Sequence, residues 1–139
     1  MRATYKTLNF FLLSAIPQFR DRYGEEKLKR GGHPPQYVAF AALNAMVMAA
    51  LDFGGDPGFL SDVFNAFERM ALSNDPEVVT VLRLGFVENV VRYPKRLAEA
   101  WDRMGAKTRK LTVDTAKAWN REANLPAPAR EKSKAQAAG

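Results

Sequence analysis

The chain has 139 residues, a hydrophobic fraction of 47%, no cysteine and a formal net charge of +6. That length suits one domain around one core, and the apolar content excludes a disordered chain. The lack of cysteine excludes a disulfide framework and thiolate chemistry.

The first predicted helix covers residues 4 to 23. Phe10, Leu13, Ile16, Phe19 and Tyr23 have helical spacing, and Pro17 kinks or splits the element. Its run "LNFFLLSAIP" is weakly like a signal-peptide core, but no small-x-small cleavage site follows it. "GEEKLKRGGHPP" reads as a polar loop rich in Gly and Pro. A second helix, residues 36 to 51, has almost no polar side. It is either a core helix or an unusually apolar surface. It is the closest approach to a membrane span, but it falls short of the ~18 apolar residues needed and carries Asn44. The expectation is a cytoplasmic protein without membrane association.

"DFGGDPG" is a turn, and a third helix follows over residues 59 to 72. Leu60, Val63, Phe64, Phe67 and Ala71 share one of its faces, and Asp62, Asn65 and Arg69 the other. The fourth helix, residues 76 to 91, opens on "NDPE". Asn74 or Asp75 can cap it, Pro76 suits the first position, and Glu77 complements the dipole. It is apolar nearly all round, as a central helix is, yet it carries Glu88 and Asn89 far from either end. Pro94 opens a fifth helix, "KRLAEAWDRM", stopped by Gly105, and a shorter sixth spans residues 113 to 119. Beyond Asn120, "LPAPAREKSKAQAAG" lacks apolar periodicity, so residues 121–139 are expected to form a flexible basic tail. The whole reads as an all-α, single-domain bundle of about five to six helices over residues 1–120.

Signatures of chemistry are few. His33 is the single histidine, so no metal site is expected. No G-x-S-x-G, P-loop or dinucleotide fingerprint occurs, and no cofactor or enzymatic activity is expected. Glu68 sits at the edge of its helix's apolar face, and Glu88 lies among Val81, Leu84 and Val91, so both are candidates for partial burial. They either accept hydrogen bonds that fix how helices pack, or serve recognition at the surface, or act as an acid–base pair. For Glu88 and Asn89 the expectation is pairing with a neighbouring element. Charge is segregated. Residues 45–91 are acidic, and the following segment carries Arg92, Lys95, Arg96, Arg103, Lys107, Arg109 and Lys110. A dipolar surface fits oriented docking to a protein. The alternative is nucleic-acid binding, with Trp101 and Trp119 as a stacking patch beside these cations.

"LLSAIPQFRDRYGEE", then "VFNAFERMALSNDPEVVTVLRLGFVENV", then "MGAKTRKLTVDTAKAW" resembles the small helical immunity proteins of bacterial polymorphic-toxin systems. The resemblance covers about residues 8 to 119. The matching motif positions are Pro17, Glu68, Asp75, Pro76, Glu77, Phe86 and Glu88. The chain departs from the usual pattern in its cationic charge and in Val87, where leucine is common. The resemblance implies a cytoplasmic, non-catalytic protein that binds one toxin domain 1:1 and blocks its active site or substrate access. The residues expected to contact it are the acidic set Asp52, Asp56, Asp62, Glu68 and Glu88, because carboxylates neutralise a cationic nucleotide or nucleic-acid groove.

Overall fold

A computed structural model describes residues 2–127 and 129. Among these there is no strand, and the chain is an all-α single domain with slightly more helices than expected. The extra elements arise where the sequence forces breaks. Pro17 ends α1 (Leu8–Ala15) and starts a 3-10 turn, Pro17–Phe19, that leads into α2 (Arg20–Arg30).

The expected loop from Gly24 onward is instead helical as far as Arg30. Glu26 lies within 3.6–3.9 Å of Arg22, Lys29 and Arg30 along one face. The helix stops at Gly31, whose φ of 69° is left-handed. α3 (Gln36–Phe53) and α4 (Pro57–Ala71) follow. Asp56 caps α4 by accepting from the Gly58 N–H at 2.9 Å. Asp75 does the same for α5 (Pro76–Leu82), accepting from Glu77 N–H, and its other oxygen takes the Tyr5 N–H at 2.8 Å. It therefore ties the N-terminal arm to the centre of the bundle.

α5 does not stop at Leu82. It widens into a π-helical segment, Arg83–Val87, and closes with one α-helical turn, α6 (Glu88–Val90). Gly85 explains where this segment packs. A Cβ there would lie 2.3 Å from the Phe40 ring, so only glycine lets α3 come this close. Phe40, Phe64, Phe67 and Phe86 then stack with centroids 4.7–5.7 Å apart to form the aromatic centre of the core.

α7 (Pro94–Trp101) begins at its proline as expected, but α8 (Ala106–Ala118) starts seven residues before residue 113, the expected start. Its buried face is made of threonines, which hid the periodicity. Thr112 and Thr115 donate to the carbonyls of Thr108 and Leu111, four residues back. The body also extends past residue 120. Residues Glu122–Asn124 form a 3-10 turn, Asn124 Nδ2 donates to the Val91 carbonyl at 2.8 Å, and Leu125 is buried. Most of the expected tail, residue 128 and residues 130–139, lies outside the described residues.

Candidate functional site

The five carboxylates expected to form one acidic surface are not brought together, and three of them have work inside the fold. Asp56 is a helix cap. Glu68, on α4, reaches the start of α8. Its carboxylate accepts from Lys107 N–H at 3.0 Å, Thr108 N–H at 2.8 Å and the Thr108 hydroxyl at 2.8 Å. Burial pushes the Glu68 carboxyl up, but these hydrogen bonds outweigh it and hold its pKa below the usual glutamate range. Gly105 leaves the room: a Cβ there would sit 2.4 Å from Glu68 Cδ. Asp52, at the end of α3, is held by Arg96 through two hydrogen bonds of 2.9 and 2.6 Å, which lower its pKa. Asp62 accepts from Gln18 at the surface.

Glu88 differs from the other four. It is half-buried, and its carboxylate makes no hydrogen bond or ion pair among the described residues. The expected pairing with a neighbouring element is therefore absent. Asn89 does not bridge to another helix either. Its amide donates to the Gly85 carbonyl four residues back, inside the wide π segment.

The surroundings of Glu88 define the site. Phe40 packs on Gly85, and one turn further on the two helices carry Asn44 on one side and Glu88 and Asn89 on the other. Asn44 is 8% exposed, and its Oδ1 has no hydrogen-bond partner. An unpaired buried amide oxygen costs about 1–3 kcal/mol, and the Asn9 Oδ1 on α1 is in the same condition. Next to Asn44, α3 turns an apolar stripe to the outside. Tyr37, Ala41, Ala45 and Asp52 are exposed, Met48 is half-buried, and Phe53 at the helix end is 87% exposed. Leu84, 43% exposed, faces out on the same side as Glu88, one turn before it.

Charges bracket the stripe at both ends. At the start of α3, burial raises the Tyr37 pKa and the nearby Glu77 adds to the shift, while Arg83 opposes it. The Tyr5 ring lies 6.1 Å from that of Tyr37. At the far end lie the Asp52–Arg96 pair, Arg92 and the exposed Tyr93, over which the Arg96 guanidinium stacks at 4.8 Å. An apolar strip with Tyr, Met and Arg and a charged rim has the anatomy of a protein interface. At 18 residues α3 is also long and apolar enough to cross a membrane, although the sequence count left it short. In this fold, 44% of it is buried against the bundle, and core helices meet the same criterion of length and composition.

The aromatic–basic patch is largely engaged with itself. Arg109 donates to the Trp101 carbonyl at 3.1 Å and stacks 5.0 Å over its ring, while Arg92 lies 5.6 Å from the Trp119 ring. The Tyr23 hydroxyl and His33 Nδ1 share a hydrogen bond of 2.8 Å, and the His33 ring meets the Phe10 ring edge-on. Among the described residues no cluster of three potential metal ligands occurs.

The sequence missed Asn44, Ala41, Ala45 and Met48 as candidate site residues. The available signal was the helix that is apolar all round in a bundle too small to surround it.

The model of one protein family matches residues 11–120, which is most of the chain: a domain of unknown function, DUF7674. The chain belongs to that family. No curated protein and no solved structure matches it.

Proposed function

We propose that this protein works by binding: it neutralises one cognate bacterial toxin domain, as an immunity protein does, by seating it on the α3–α6 face and covering the toxin's active site or substrate entry. The observation that carries the docking role is the outward stripe of α3 beside the unpaired Glu88. An apolar surface next to a half-buried carboxylate with no partner is unfavourable when left in water and becomes useful when a partner covers it. The identity of the partner rests on the resemblance of the chain's motifs to polymorphic-toxin immunity proteins. Glu88, with Glu77 at the near end of the face, supplies the acceptors for a cationic active-site groove. Asp56 and Glu68 are used at the starts of α4 and α8 and are not counted among the contacts to the toxin.

Co-expression with the toxin domain encoded beside it tests the reading, scored by cell survival and by co-purification. Rescue with a stable 1:1 complex is the expected result. Unrelieved toxicity without a complex refutes it.

The second reading, nucleic-acid binding, draws on the exposed Arg92, Lys95, Arg103, Lys107 and Lys110. A salt titration against a random duplex separates the two, because phosphate contacts give a steep log–log loss of affinity. The toxin-binding reading predicts weak binding to the duplex at every salt concentration.

A further inference from the structure

We propose that the cleft between the N-terminal arm and the α4–α5 turn binds a small organic monocarboxylate with an apolar body. This site shares no residue with the α3–α6 face, and the proposal stands apart from the docking reading.

The arm is fastened to the turn by two bonds. The Ser73 hydroxyl donates to the Ala3 carbonyl at 2.6 Å, and the Tyr5 N–H donates to Asp75 at 2.8 Å. Beside these bonds a cleft of about 620 Å³ stays open. Small-molecule sites span about 300–1,000 Å³, so the cleft is large enough for a ligand rather than a single ion. Arg2 lines it from the arm, and Arg69, Leu72 and Asn74 line it from the end of α4 and the turn.

Two of the polar groups on these walls are not used by the fold. The side chains of Arg2 and Asn74 are exposed and make no hydrogen bond or ion pair among the described residues. Arg69 is engaged within the protein, and its guanidinium lies 4.7 Å over the ring of the buried Phe11. That stack fixes the plane of the fork. A guanidinium has five N–H donors, and a carboxylate takes one or two of them, so Arg69 can hold a ligand without giving up its other contacts.

The charges select among anions. The third charged residue on the wall is Asp75, whose two oxygens already accept the Glu77 and Tyr5 N–H groups. Two cations and one anion leave one positive charge to be neutralised. A carboxylate does so. A phosphate, close to doubly charged at neutral pH, reverses the sign and is repelled by Asp75. Leu72, just past the end of α4 and 56% exposed, offers the ligand's body an apolar wall with Ala3. A carboxylate held by both Arg2 and Arg69 bridges the arm and α4.

Titration of the isotope-labelled full chain with hexanoate and with phenylacetate, followed by amide shifts, tests this. Hexanol and inorganic phosphate are the controls. At least one of the two acids should shift the amides of Ala3, Ser73 and Asn74 saturably, with a Kd of about 1 mM or tighter. Hexanol and phosphate should bind at least about tenfold more weakly. Arg2→Ala removes an exposed side chain without a partner in the fold, so its melting curve should match that of the wild type. Its affinity for the acid should fall about tenfold. The proposal is overturned if neither acid gives saturable shifts at these residues up to about 20 mM. It is equally overturned if hexanol or phosphate binds as tightly as the acids, or if Arg2→Ala binds them as the wild type does.

Discussion

Replacing Glu68 with alanine removes one acceptor group for three hydrogen bonds at the start of α8. Loss of a helix cap costs about 1 kcal/mol, and leaving the Thr108 N–H and hydroxyl unpaired adds about 1–3 kcal/mol, since that residue is fully buried. The sum is about 2–4 kcal/mol, which for a domain of this size lowers the melting temperature by about 10 °C. The pH dependence gives a sharper test. The folded-state pKa of Glu68 lies below its ordinary value. Its contribution is therefore fully present above the usual glutamate range and is lost as the pH falls through the lower, folded value. Urea unfolding of wild type and Glu68→Ala at neutral pH should differ by the full amount, and the gap should close as the solution is acidified. A gap below about 0.5 kcal/mol, or one that does not change with pH, would refute the argument that this carboxylate holds α8 in place.

Gly105→Ala should lower stability by about 1–3 kcal/mol, because its Cβ collides with the Glu68 carboxyl, and in the Glu68→Ala background the loss should largely vanish. Gly85→Ala forces a methyl into the Phe40 ring and should cost a similar ~1–3 kcal/mol in thermal or chemical unfolding. Glu88→Ala should change stability by less than about 0.5 kcal/mol, since the carboxylate has no partner among the described residues, while weakening binding of the proposed toxin partner in titration calorimetry. Loss of several kcal/mol of stability there would mean that the carboxylate is a packing device after all.

The fold class and most helix starts were legible because they depend on local chemistry. Asp75–Pro76 and Pro94 each announce a first turn, whereas α4 starts at Pro57, inside the expected turn and two residues before the expected residue 59. The part of α2 from Gly24 to Arg30 reads as a loop in the sequence because it lacks an apolar stripe, and a cluster of charges about Glu26 is weaker evidence. The start of α8 was hidden because its cap comes from a residue 40 positions away in sequence, and its buried face uses threonines whose hydroxyls bond back along the helix. The same distance effect misled the reading of the acidic site. Residue type marked Asp52, Asp56, Asp62, Glu68 and Glu88 as candidates, but only packing reveals that Asp56 and Glu68 are spent on helix starts and Asp52 on Arg96. The open stripe on α3 was half legible: a helix without a polar side must be buried or must expose apolar surface, and it does both.

Titration calorimetry of the proposed toxin partner against wild type and Ala45→Arg tests the docking face most directly. Ala45 is exposed in the single chain, so the substitution leaves folding unchanged and any loss of affinity belongs to the interface. The account predicts affinity weaker by at least about a hundredfold, with the melting temperature unchanged. Equal affinity for both proteins would contradict the assignment of α3 as the surface on which this protein meets its partner.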